Sequence, residues 1–497
     1  MKKLLALTLA LLFSVSALVS CAENSENPEA QTSTDPAASG ESAAEAQPEE
    51  EELSRDKVPD TLPADLDLGG KTYTIHTRGD STSEVYSEEL TGEVVSDAIY
   101  ERNNSVRDRL NCEIECFPAD GWENYNTTIA SLRSSIMAGD GAFDIIAGWS
   151  ARIPTLSLEG LFLDLNNVEY LDLNQTWWSQ SAVTELLLGG KLYFVTGDIA
   201  YTMLSSMCVY VFNQKVADEN QIENLYSVVK EHRWTIDYVY DLTSGIQNDL
   251  DGNGTADITD YWGLQSSSVN DADGYMQGSL VSMMTRDEAG YPVLEVDEER
   301  LTTLVEKVYH LMWENPGCYA ITGDGTNITD TIAQDRALLA TTRIGGITSG
   351  LADMESDYGV LPYPLLDESQ TNYGTRVQDA LSLWCIPIDA ADPNGSAAVM
   401  EALAAQSWRT VTPAYFDKAL KSRYSRDRET SEMMDLIKDS VLINFESLYN
   451  ESIGNPWFVL RTLMPQKNAN FASYWATNKK IIGKTLEKAM GKIRELD

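Results

Sequence analysis

The residues predict an α/β protein built as two bodies joined by extended crossings. Three observations carry this expectation. Strand, helix, strand, helix and strand patterns follow one another over residues 71–147, a second, helix-rich α/β stretch spans 205–357, and a strand-like run at 380–388 returns long after the first set has ended. Such alternation implies right-handed crossovers and an open parallel sheet. No internal repeat interrupts the pattern.

Each element has its own signal. Lys71 to His76 alternates as a strand. Asp97 is placed to cap a helix that ends near Leu110, with Ile99, Val106 and Leu110 facing inward. Residues 112–117 read as a second strand. A helix from about Asn124 buries Ile129, Leu132 and Ile136 and stops at Gly139. The mostly apolar run 143–147 suits a buried parallel strand. After the return strand comes a helix over 395–407, and Ile482, Leu486, Met490 and Ile493 mark a closing amphipathic helix.

The chain has 497 residues, 36 Lys and Arg against 77 Asp and Glu, and a formal net charge of -41. That length predicts two or three domains with ample core. The acidity argues against nucleic acid, whose phosphates need cations to displace their counterions, and disfavours docking on an anionic membrane. Lys2 and Lys3 precede a short apolar stretch, residues 4–13, that is too short to span a bilayer and reads as a secretory leader occupying residues 1–20. Leu18-Val19-Ser20-Cys21 resembles a bacterial lipobox, which implies cleavage before Cys21 and its lipidation. Residues 21–65 are rich in Ala, Ser, Glu and Pro and read as a disordered acidic tether. The chain is then expected on the extracellular face of the membrane, as a lipid-anchored monomer.

Cys112, Cys116, Cys208, Cys318 and Cys385 remain after Cys21. Four residues of strand hold Cys112 and Cys116 about 13 Å apart, too far for a disulfide. No set of four ligands with zinc spacing can be assembled.

A series of short motifs resembles one known family. Phe143-Asp144-Ile145-Ile146 with Ala147-Gly148-Trp149, Gly190-Lys191-Leu192-Tyr193-Phe194-Val195, Val209-Tyr210-Val211-Phe212-Asn213, Trp234-Thr235, Leu338-Leu339-Ala340, Asp357-Tyr358-Gly359-Val360-Leu361-Pro362-Tyr363-Pro364 and Leu383-Trp384-Cys385-Ile386-Pro387 stand in the order found in family 1 extracellular solute-binding proteins. Each is weak alone; their order behind a lipobox makes the likeness specific over about residues 70–410. The resemblance implies a two-lobed periplasmic-binding-protein-like fold of the maltose-binding type, with discontinuous lobes and a hinge. It places lobe 1 in 66–200 and 375–412, lobe 2 in 205–357 and 413–497, and crossings at 201–204 and 358–374. It also implies a carbohydrate ligand in the cleft, an importer permease of the ATP-binding cassette class as partner, and no catalysis.

Two sets of residues carry candidate chemistry. Asp249, Asp251, Asn253, Thr255, Asp257 and Asp260 fall at loop positions 1, 3, 5, 7, 9 and 12 of a calcium-type loop, with Gly254 at position 6 for the sharp turn. Calcium needs six to eight oxygens, and alternating acids wrap them inward. Asp260 is one methylene shorter than the usual Glu. Trp262-Gly263 after the loop resembles a loop of solute-binding lipoproteins, which favours a structural ion. Ligand residues follow from the rule that open α/β sheets bind at the carboxyl ends of their strands. That selects Arg78 and Asp80, Trp149 and Arg152, Asp198 and Tyr201, and Arg343. Sugars want aromatic faces and fixed hydrogen-bonding groups, which adds Trp178, Trp262 and Tyr373 as platforms.

Rival classes have less support. His76, His232 and His310 stand in no metal or triad motif, and neither a nucleophile elbow nor a complete phosphate loop is present. Paired acids for glycan hydrolysis are numerous in so acidic a chain, so a glycan-active enzyme is the alternative of another class. An adhesin would show β-repeats instead of α/β alternation. Within the binding reading, peptides or other small solutes are the alternatives to sugars.

Overall fold

The structure is a computed structural model, and it describes residues 54–323, 328–421 and 428–496. The leader, Cys21 and most of the expected tether lie outside the described residues. The elements that matter here are β1 (Lys71–Arg78), α1 (Val94–Leu110), β2 (Cys112–Ala119), α2 (Tyr125–Ala138) and β3 (Ile145–Trp149). They are followed by β4 (Cys208–Asn213), β5 (Tyr261–Ser267), α3 (Ala272–Gly278), β6 (Cys318–Ile321), β7 (Ala337–Arg343) and β8 (Tyr358–Leu361). The chain then gives β9 (Ser382–Cys385), α4 (Pro393–Gln406), α5 (Val459–Leu463) and α6 (Phe471–Arg494).

The first sheet has the order β9-β3-β1-β2. β1 is parallel to both neighbours, so Ile75 faces Cys116 on one side and Ile145 on the other. The returning strand β9 is antiparallel to β3, with Ser382 opposite Trp149. The residues just before β9 are thereby delivered to the carboxyl end of β3. The second sheet runs β8-β4-β7-β5, and β6 also pairs with β5. β4 lies antiparallel to β7 and β8, and all six of its residues are buried, as expected of a central strand. In this second body Tyr210 packs edge-on against Trp234, Tyr275 and Tyr363. The chain leaves the first sheet after Val195, which bridges Trp384, and enters the second at Cys208; it returns between Leu361 and Ser382.

Local chemistry explains the element ends. Gly139 closes α2 in the left-handed conformation at φ 68°, which costs glycine little. Asp392 caps α4 by accepting from the Gly395 N–H at 3.2 Å. The helix expected to start at Asp97 begins three residues earlier, at Val94. Asp97 instead accepts from Thr91 N at 2.7 Å and Gly92 N at 3.2 Å, so it ties down the loop that feeds the helix. Residues 192–195 form no strand; they touch β9 through the single Val195–Trp384 bridge.

The ordered body also begins earlier than the expected tether boundary at 65. Leu62 and Leu68 are buried, the Thr61 hydroxyl donates to Glu401 at 2.7 Å, and Arg409 donates to the Val58 carbonyl at 2.6 Å. Leu62 and Leu68, with Val58 and Leu66 partly buried beside them, dock this stretch on the core. The five cysteines from Cys112 onward are free. No helix among the described residues is long and apolar enough to cross a membrane.

Candidate functional site

Beyond the carboxyl end of β3 lies a cavity of about 140 Å³. One wall comes from the first sheet and its loops: Trp122, just after β2, Trp149 at the tip of β3, and Arg152. The opposite wall comes from the C-terminal helical region: Asn450, Glu451, Phe458 and Arg461 of α5. Asp379, in the turn that enters β9, closes the floor.

The floor is fixed by hydrogen bonds from strand ends. The Trp149 indole N–H and the Ser150 hydroxyl both donate to the Asp379 carbonyl, the latter at 2.6 Å. The Tyr125 hydroxyl accepts from Trp149 N at 2.9 Å. Trp149 is therefore nearly enclosed, with Tyr125 and Trp122 edge-on at ring distances of 4.9 and 4.6 Å and the Arg152 guanidinium 5.1 Å from its ring centre. Trp122 is 66% exposed and offers the open aromatic face.

Behind the floor two guanidinium groups alternate with two carboxylates. Arg376 reaches Asp379 at 2.9 Å and Asp273 at 3.4 Å; Arg461 reaches Asp273 at 2.5 Å and Asp379 at 3.2 Å. Asp273 sits on α3, which packs against α5, so this network ties the turn before β9 to the second body. Burial alone lowers the pKa of Arg376, but the facing Asp379 and Asp273 outweigh it and hold the guanidinium firmly charged. Arg152 is paired with Glu451 across the cavity. The charged groups of the lining are thus mutually compensated, which leaves aromatic faces and hydrogen-bonding edges to meet a solute.

Sequence-selected residues separate into three groups. Trp149 and Arg152 line the cavity. Arg78 lies behind Trp149, donating to Asp80, to Ser81 Oγ at 2.7 Å and to the Ala380 carbonyl at 3.3 Å, so Arg78 and Asp80 brace the floor. The others stand elsewhere. Trp178 is in the core, its indole donating to Glu401 at 3.0 Å. Trp262 is buried and donates to the Asp257 carbonyl at 2.8 Å, and Tyr373 is buried and donates to the Val229 carbonyl at 2.9 Å. These three, expected as platforms, are buried and hydrogen-bonded within their own bodies, away from the cavity. Asp198 accepts from Thr412 and lies 3.7 Å from Arg55; burial pushes its carboxyl up to about 6. Tyr201 stacks on Tyr415, and Arg343 donates to Gln378 at 2.7 Å.

Trp122, Asp379, Asn450, Glu451, Phe458 and Arg461 were missed. Trp122 obeys the strand-end rule, since it follows β2 as Trp149 ends β3. The residues at 450–461 lie beyond the stretch that carried the family likeness, and no local pattern points to them.

The acidic loop is separate. Carboxylate oxygens of Asp249, Asp251 and Asp260 lie within 4.8 Å of one another. Asp249 also accepts from Gly252 N at 2.7 Å and Gly254 N at 2.8 Å, which wraps the loop around it. Asn253 and Asp257 instead bond within their own turns, to Thr255 N at 2.6 Å and Thr259 N at 2.7 Å. Three clustered carboxylates fit a hard cation, and one of the three, Asp260, is itself buried.

No family model matches the chain, and no curated protein matches it in sequence. Solved structures do. A cyclo/maltodextrin-binding protein in complex with maltotetraose is similar at a TM-score of 0.54 and 11% identity, over 85% of this chain and 96% of that one. The galacto-N-biose/lacto-N-biose I-binding protein of a Bifidobacterium longum ABC transporter, in complex with lacto-N-biose, is similar at 0.54 and 11%, over 86% and 97%. UgpB from Mycobacterium tuberculosis, in complex with glycerophosphocholine, gives 0.51 and 10%, over 86% and 98%. The fold is therefore the two-lobed, maltose-binding-type fold that the sequence resemblance implied.

Proposed function

We propose that this chain is an exported, lipid-anchored solute-binding protein that captures a sugar or oligosaccharide between its lobes and delivers it to an importer of the ATP-binding cassette class. The carrying observation is the cavity at the tip of β3, where an open Trp122 face, Phe458 and compensated charges converge from two walls. An aromatic face suits the C–H patch of a pyranose, and fixed amide, guanidinium and carboxylate edges suit its hydroxyls. The volume accepts about one sugar ring, so a longer ligand would occupy it by its end.

The acidic loop supports a structural calcium, held by Asp249, Asp251 and Asp260, with Asn253, Asp257 and the Thr255 backbone carbonyl as its further oxygen ligands. The ion would supply rigidity and no step of a reaction.

A thermal-unfolding screen over mono- and oligosaccharides, glycerophosphodiesters, amino acids and peptides tests the reading. A ligand at about 100 times its Kd adds about 2.7 kcal/mol of stability. Stabilisation by a peptide alone, or new reducing ends released from a glycan, would move the function to another class.

A further inference from the structure

Helix α6 reverses the charge of the molecule that carries it. Over Phe471–Arg494 it has six basic residues, Lys479, Lys480, Lys484, Lys488, Lys492 and Arg494, against one acid, Glu487, in a chain where acids outnumber bases 77 to 36. Lys479 and Arg494 are used internally, on Glu298 at 2.7 Å and Asp287 at 3.4 Å. Lys480, Lys484, Lys488 and Lys492 are all exposed, and among the described residues none has an ion-pair partner. Spaced four apart, they form one stripe about 18 Å long on the face away from Trp475, Ile482, Leu486 and Met490, which are buried. Ile481 lies along this stripe and is 60% exposed.

Stabilisation of the helix does not account for the stripe. Interaction with the macrodipole fades beyond the last turn, which covers Lys492 and not Lys480, Lys484 or Lys488. In so acidic a chain, three lysines left without carboxylates run against local charge balance.

We propose that this stripe is a docking face for a membrane surface rich in anionic phospholipid. The net charge of -41 argues the other way only at long range. At physiological salt the Debye length is about 8 Å, so charges on the far sides of the body are screened and the face in contact decides. Each lysine near an anionic surface contributes on the order of a fivefold gain in partitioning, and Ile481 adds an apolar contact at the headgroup level. Docking along α6 would set the orientation of the body at the membrane. It goes beyond solute capture and does not depend on it.

Co-sedimentation with vesicles tests this, using the chain from Ala22 onward, which keeps the whole described body and lacks the apolar leader and Cys21. Binding to phosphatidylglycerol–phosphatidylcholine vesicles, absent with phosphatidylcholine alone and weakened by salt, is expected. K480Q/K484Q/K488Q should lower the partition coefficient on the order of 100-fold while leaving the unfolding temperature in place, because among the described residues these side chains hold no ion-pair partner. Ile481→Ser should lower it several-fold. Equal sedimentation with neutral vesicles, no sedimentation with anionic ones, or a triple variant that binds as well as the parent would overturn the proposal. So would capture by an acidic polypeptide with no affinity for the vesicles, since the face would then belong to a protein partner.

Discussion

In the proposed reading Trp122 is the residue on which solute recognition would turn, because it presents an aromatic face that is 66% exposed. Replacing it with Ala removes that face without opening the core. Ligand affinity should fall by up to about tenfold, on the order of the 0.5–1.5 kcal/mol an aromatic contact contributes, while the unfolding temperature stays nearly unchanged; calorimetric titration beside thermal unfolding separates the two. Glu401 is a different kind of residue. Burial pushes its carboxyl up to about 7, against the opposing hydrogen bonds of Thr61 and Trp178. The folded state therefore holds this proton more tightly than the unfolded chain. Its contribution to stability is full below the ordinary carboxyl range and is lost as pH rises through about 4.5 to about 7. The loss amounts to about 3 kcal/mol. His76 carries the opposite sign, since burial lowers its pKa to about 4 and its protonation weakens the fold as pH falls. Urea unfolding of the parent and of E401Q isolates the glutamate: the stability of the parent relative to the variant should fall by 2–3 kcal/mol between pH 5 and pH 8, with the His76 effect cancelling.

Elements were more legible than sites. β1, β2, α2 and α6 fall where period and punctuation put them, because a half-buried strand or helix must show its inward face in sequence. Residues 192–195 form an apolar run, yet they contribute a single bridge; an apolar run does not distinguish a strand from a buried extended segment. The candidate site splits along the same line. Trp149 and Arg152 were found because a strand end marks them, whereas Arg461 and Glu451 reach the cavity only through the packing of a distant helix. Trp178, Trp262 and Tyr373 were chosen for residue type, and type alone does not separate a platform from a core anchor. The acidic loop makes its own prediction at this scale. Millimolar calcium should raise the unfolding temperature of the parent by several degrees, on the order of 1–2 kcal/mol, and chelator should reverse it. Asp249→Asn should abolish the response, since Asp249 is the carboxylate around which the loop amides gather. A parent indifferent to calcium would leave the loop as a hydrogen-bonded turn.

Across the whole molecule, two sheets of different strand order meet at one turn. Asp379 and Arg376 precede β9 of the first sheet and are gripped by Asp273 and Arg461 of the second body. A solute seated on this floor touches both bodies at once, and it can favour the closed arrangement only by binding it more tightly than the open one. In the proposed reading closure and capture would be one event, because Asp379 and Arg461, which line the cavity, also belong to the network that joins the two bodies.

The most direct measurement is calorimetric titration of the chain with the solute that stabilises it in the thermal-unfolding screen, in the parent and in Ala151→Trp, since Ala151 lines the cavity beside Trp149 and Arg152 and a large ring there would fill it. A solute held at the tip of β3 requires one-to-one binding by the parent and its loss in a variant that still unfolds cooperatively. Binding that survives the blocked cavity would place the solute elsewhere and contradict the assignment.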